Sequence, residues 1–140
     1  MKYKQGKYIP KKPSKYKGDP RNVVYRSSWE YKFMLWCDQT SSVTEWGSEE
    51  IAVPYISPVD NKRHKYYPDF YVKVNNKKYM VEVKPVKQTR EPKIQKKVTK
   101  RYITEVVTYA KNQAKWNAAK EFCKDYGWEF MLITEKELKV

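Results

Sequence analysis

The residues predict an α/β domain, a central mixed four-stranded sheet flanked by helices, with elements in the order α-β-β-β-α-β-α. Three observations carry that expectation. Two runs rich in valine and tyrosine, 67–74 and 77–84, flank Asn75-Asn76 and read as a β-hairpin, because asparagine tolerates the positive φ of a tight turn. Apolar residues at helical spacing run from about 101 to 125 and stop before Gly127, which reads as one long helix. The near-continuous apolar run 128–133 then suits an interior strand.

Residues 1–21 hold eight basic groups and one acid, interleaved with Tyr3, Tyr8 and Tyr16 and broken by three prolines. They show neither period, so an extended arm is expected ahead of one domain spanning 22–140. Such an arm can lie along phosphates or be tied to its own domain by the tyrosines. A helix is expected over 25–38, with Ser27 as its cap, Glu30 at capping-box spacing and Trp29, Phe33 and Trp36 as the buried stripe. A short extended piece follows at 43–46. Residues 49–56 read as a strand near an edge or at a bulge, because of Pro54. A polar loop, 57–65, leads into the hairpin. Past Pro85, a basic loop carries Lys87, Arg90, Lys93, Lys96, Lys97 and Lys100. The long helix should bury Ile103, Val106, Val107, Ala110, Ala114, Ala118 and Phe122, with Gln113 at the margin. Thr134 and Glu137 form a second capping box, which starts a short terminal helix.

Charge narrows the function. The net charge is +14, and residues 1–21 and 84–101 carry +7 each, so the other 101 residues are neutral overall. Charge concentrated in an arm and a loop points to a polyanion. A membrane surface is disfavoured: no apolar stretch reaches about 18 residues, no signal peptide is recognisable, and no basic helix has a broad apolar face. Double-stranded DNA is the favoured partner, with Arg26, His64, Lys87, Arg90, Lys100, Arg101 and Gln113 as candidate contacts. Cys37 and Cys123 read as buried thiols. One histidine and no Cys-x-x-Cys argue against zinc, and no small-molecule cofactor is expected.

The hairpin is where chemistry is expected. With Asn75 and Asn76 as loop residues, Val74 pairs with Lys77 and Asp69 falls across from Glu82. Phe70, Val72 and Val74 share an apolar face with Tyr79, Val81 and Val83, while Asp69, Glu82 and Lys84 lie on the other. Carboxylates opposed at about 5 Å repel, so a cation is expected between them. Lys84, held extended by Pro85, can supply it, and so can a divalent metal, whose natural ligands are hard oxygens. Two carboxylates and an ammonium suit metal-assisted phosphodiester hydrolysis; the plainer reading is a solvated salt bridge. Glu30 also has two readings, a cap or a third acid at the metal.

Several segments together resemble one family. They are Tyr25-Arg26-Ser27-Ser28-Trp29-Glu30, Trp46-Gly47-Ser48-Glu49-Glu50-Ile51-Ala52, Pro54-Tyr55-Ile56-Ser57-Pro58, Tyr67-Pro68-Asp69-Phe70, Glu82-Val83-Lys84-Pro85, Asn112-Gln113-Ala114-Lys115-Trp116 and Trp128-Glu129-Phe130. With them the chain resembles the PD-(D/E)xK nucleases in their TnsA-like branch, and most closely the head completion nucleases of myovirus-type tailed phages. The resemblance implies a restriction-endonuclease-like core in which Asp69 and Glu82 hold Mg²⁺, replaceable by Mn²⁺, with the Val83 carbonyl as an extra ligand. Lys84 would orient or deprotonate the attacking water, and Glu30 would bind a second metal directly or through water. Gln113 resembles a glutamine of some branches, but Trp116 stands where those branches place tyrosine. The implied role is cutting phage DNA during head completion, before tail attachment. It would be exercised in the host cytoplasm or the virion head and neck, with portal, neck or other head proteins as partners. A non-catalytic DNA-binding head-closure protein and a branched-DNA resolvase are the alternatives.

Overall fold

A computed structural model describes residues 5–139. In chain order the elements are β1 (Gly6–Tyr8), β2 (Val23–Tyr25), α1 (Ser28–Gln39), β3 (Val43–Ser48), β4 (Val53–Ile56) and β5 (Arg63–Tyr66). Then come β6 (Phe70–Val74), β7 (Lys77–Val83), α2 (Lys100–Tyr126), β8 (Glu129–Ile133) and α3 (Glu135–Leu138). The mixed four-stranded sheet is present, in the order β3-β6-β7-β8. Its first three strands are antiparallel, and β8 joins parallel to β7. A parallel neighbour needs a long crossover, and α2 supplies it.

The hairpin has the expected register, with Val74 opposite Lys77 and Phe70 opposite Val81. Asn75 takes φ 55°, a left-handed conformation that asparagine tolerates. One sheet face, with Phe70, Val72, Val81 and Val83, packs against Phe33, Met34 and Cys37 of α1. The other face presents Met80 to Trp116, Ala119 and Cys123 of α2. Glu82 and Lys84 follow Met80 at the strand's period of two, so they share the α2 side.

Three expectations need correction. The strand expected over 49–56 is not in the main sheet, whose edge is the earlier piece, β3. Glu49 turns the chain with φ 53°, and β4 instead pairs with β5, taken from the expected polar loop. Val53 and Tyr55 are buried on one side of this ribbon while Pro54 and Ile56 stay exposed. In α1 the buried stripe is Phe33, Met34, Cys37 and Asp38, and Trp36 is 44% exposed. The helix is turned because Asp38 faces inward to bind the N-terminal segment. In α2, Asn112, Trp116, Ala119 and Cys123 are buried, whereas Ile103, Val106 and Val107 are exposed. A 27-residue helix is about 40 Å long, but five-residue strands span only about 17 Å, so its first half overhangs the sheet.

Of the two forms expected of the arm, its described part takes the docked one. β1 pairs with β2, and Tyr8 and Tyr16 enter the core against Trp46. Asp38 accepts bonds from the Tyr8 hydroxyl at 2.7 Å and the Lys11 and Lys12 amides at 2.7 and 3.1 Å. Lys15 donates to the carbonyls of Cys37, Asp38 and Thr40 at the end of α1, where a cation also suits the helix dipole. Lys2, Tyr3 and Lys4 lie outside the described residues.

Candidate active site

Two strand ends and one helix start build the site. Asp69 immediately precedes β6 and faces Glu82 near the end of β7. Each carboxylate is held by the other's strand: the Asp69 amide donates to Glu82 Oε1 at 3.3 Å, and the Val83 amide to Asp69 Oδ2 at 2.8 Å. The Tyr66 hydroxyl also donates to Glu82 Oε1, at 2.8 Å. Lys84 Nζ lies 3.8 Å from Glu82 Oε2, and its own amide bonds the Ile133 carbonyl at the end of β8. The extended backbone before Pro85 and this ladder bond fix the lysine at the rim.

Burial is what these acids contend with. Glu82 is only 6% exposed. Burial raises the Asp69 pKa well above the usual carboxylate range; the Glu82 and Glu30 charges add to it, against the Val83 amide and Lys84. Burial raises Glu82 as well, opposed by Lys84, Tyr66 and the Asp69 amide. Two desolvated carboxylates with one lysine beside them leave negative charge to be met.

Glu30 stands at the start of α1. Ser27 caps the helix by accepting from the Glu30 amide at 3.2 Å, and its hydroxyl donates to Glu30 Oε2 at 3.3 Å. The cap therefore holds the Glu30 carboxylate at the helix start, where its charge is felt by Asp69. Burial raises the Glu30 pKa; Ser27 opposes, and Glu49 adds to the rise.

Two neighbours were not singled out from sequence. Glu49 pairs with Arg26 at 2.6 Å, and its amide donates to the Asp69 carbonyl at 3.1 Å. The Arg26 guanidinium, named as a DNA contact, is thus engaged by a carboxylate beside the acids. Lys115 on α2 stands over the Tyr66 ring and feels the charges of Glu82 and Asp69. Neither residue carried a periodic signal; only the fold brings them near.

The other candidate contacts are dispersed. His64 is exposed on β5 and bonds Asp60 at 2.8 Å. Gln113 is half-buried on α2. Lys87 lies in a single 3₁₀ turn, Val86–Thr89, just past Pro85. A groove of about 980 Å³ runs between the 86–99 loop and the first turns of α2, lined by Lys87, Arg90, Lys93, Lys97 and Arg101. Lys100 opens α2, and Arg101 bonds Glu105 at 3.2 Å.

Among the described residues, no three acidic, histidine or cysteine side chains form a metal cage by themselves. The pair nevertheless suits magnesium, which keeps several waters and takes one or two carboxylates plus substrate phosphate oxygens. Its buried oxygens, short of counter-charge, are hard donors of the right kind. Among the described residues, no helix is long and apolar enough to cross a membrane.

The chain is 35% identical over 139 residues to a head completion nuclease of Enterobacteria phage T4, covering 96% of this chain and 93% of that protein. Residues 40–135, which include Asp69, Glu82 and Lys84, match the family described as TnsA-like endonuclease N terminal. The chain belongs to the TnsA-like endonuclease family.

Proposed function

We propose that this nuclease is a magnesium-dependent endodeoxyribonuclease that acts on phage DNA during head completion, before tail attachment. The observation supporting it most is the buried Asp69–Glu82 pair, raised in proton affinity and flanked by Lys84. In this reading Asp69 and Glu82 hold the metal, the Val83 carbonyl assists, and Glu30 serves a second ion directly or through water. A bound divalent ion supplies Lewis-acid polarisation of the phosphate and acidifies a water, and Mn²⁺ substitutes for Mg²⁺.

The chain's own residues set the geometry. The Val83 amide fixes one Asp69 oxygen, and Tyr66 with the Asp69 amide fixes one Glu82 oxygen, leaving the second oxygen of each for a ligand. Lys84 orients the attacking water. The groove beside the 86–99 loop carries the duplex backbone with Lys87, Arg90, Lys100 and Arg101; Arg26, His64 and Gln113 contribute outlying contacts. The relative's role in head completion supports the place in assembly.

Supercoiled plasmid with Mg²⁺ is the direct assay. The wild-type protein should nick or linearise it and lose the activity on chelation. Asp69→Asn or Glu82→Gln should lower the rate by about 10³-fold or more, the scale of removing an essential group. Cleavage by either variant at the wild-type rate would refute the assignment. Tight, salt-sensitive binding with no cleavage under any divalent ion would favour the non-catalytic head-closure role.

A further inference from the structure

Lys115 is placed unlike an ordinary surface lysine. It sits in the half of α2 that packs on the sheet, beside the buried Asn112 and Trp116. Its ammonium stands over two aromatic faces, 5.7 Å from the Tyr66 ring centre and 6.0 Å from that of Tyr55. Tyr66 is the residue whose hydroxyl holds Glu82. Among the described residues, no carboxylate comes within 4.0 Å of Lys115 Nζ. Burial lowers its proton affinity, and Lys111 and Lys84 add to that, while Glu82 and Asp69 oppose it. A half-buried cation is costly unless paired, and two ring faces compensate for that cost only in part. Packing alone would be better served by an apolar side chain on this helix face.

We propose that Lys115 is a phosphate-binding residue of the active centre: the Tyr55 and Tyr66 rings hold its ammonium beside the Asp69–Glu82 pair, where a phosphate oxygen of the bound DNA strand supplies the missing counter-charge. The inference rests on the nuclease reading above. Lys84 and Lys115 then place a cation on either element, one at the end of β7 and one on α2. Lys111 lies one helical turn before Lys115, next in the chain to Asn112, which lines the groove. Tyr66 has two tasks, orienting Glu82 through its hydroxyl and Lys115 through its ring.

The test compares Lys115→Met, Lys115→Arg, Tyr66→Phe and Asp69→Asn with wild type. It measures plasmid cleavage in Mg²⁺, melting temperature, and the salt dependence of binding to a short duplex without metal. Lys115→Met should melt at or above the wild-type temperature, because it removes an unpaired half-buried charge. It should cleave about 100-fold more slowly, mainly through kcat, and lose about 0.9 from the salt slope, one phosphate contact. Lys115→Arg should stay within about tenfold of wild type, since it keeps the charge. Tyr66→Phe keeps the ring, so it should keep the salt slope while cleaving more slowly. If Lys115→Met cleaves as wild type with an unchanged slope while Asp69→Asn is inactive, the nuclease reading stands and this inference falls. A lower melting temperature for Lys115→Met, with a folded Lys115→Arg that is inactive at wild-type slope, would overturn it too. If the wild-type protein cuts nothing, the nuclease reading fails and the salt slope alone decides whether Lys115 meets phosphate.

Discussion

Asp69 uses its backbone and its side chain toward different partners. Its amide steadies Glu82, its carbonyl accepts from Glu49, and its carboxylate is steadied by Val83. The side chain is therefore pre-set before any ligand arrives, at the expense of holding a buried acid whose pKa is raised. The sign of the linkage follows. A carboxyl with a folded pKa above its unfolded value stabilises while protonated, and that stability is lost as pH rises through the folded pKa. Metal-free protein should therefore lose stability from the ordinary carboxylate range upward, with Asp69 as a main source. Asp69→Asn should flatten that slope and, without metal, raise the melting temperature by roughly 3–8 °C at neutral pH, as calorimetry across pH would record. An unchanged or lower melting temperature would mean that the acid is not strained. This opposition of Asp69 and Glu82 was legible in the sequence because two-residue turns and period two fix register locally. Tyr66 and Lys115 were not, since their roles depend on α2 lying over the sheet end.

Elements show the same division between local and distant causes. The Ser27 cap, the Gly127 stop (φ 72°) and the Thr134–Glu137 capping box are short-range patterns and appear as expected. The face that α1 buries is set from a distance, by Asp38 gathering Tyr8, Lys11 and Lys12 across 26 to 30 residues. Periodicity cannot see such a contact, and so Trp36 was misplaced and the arm was left open to two readings. Burial opposes the Asp38 charge, but the Tyr8 hydroxyl and the two amides outweigh it and hold its pKa below the usual value. Its stabilisation is thus present above the unfolded pKa and lost as pH falls through the folded one. Asp38→Ala leaves three donors unmet and should cost about 2–4 kcal/mol in urea unfolding at neutral pH. A change below about 0.5 kcal/mol would show that the basic segment docks without it.

For the whole molecule, charge is segregated while the fold is not. The two segments that carry +7 each are covalently distant, and the described part of the first is anchored in the core by Tyr8 and Tyr16. The second forms one wall of the groove along the first turns of α2. Charge concentration was plain from composition, whereas the groove exists only because the overhanging half of α2 provides the other wall. Replacing Lys87, Arg90 and Lys93 together with alanine should lower the salt slope of duplex binding by about 2.7, at about 0.9 per phosphate contact. An unchanged slope would move the DNA elsewhere on the surface. The proposed hydrolysis requires a divalent ion shared by Asp69 and Glu82, and a crystal soaked in Mn²⁺ shows whether one binds there. Anomalous density between the two carboxylates, absent from Asp69→Asn crystals soaked alike, is the predicted result. No density there at saturating Mn²⁺, or density only at other acids, would contradict it.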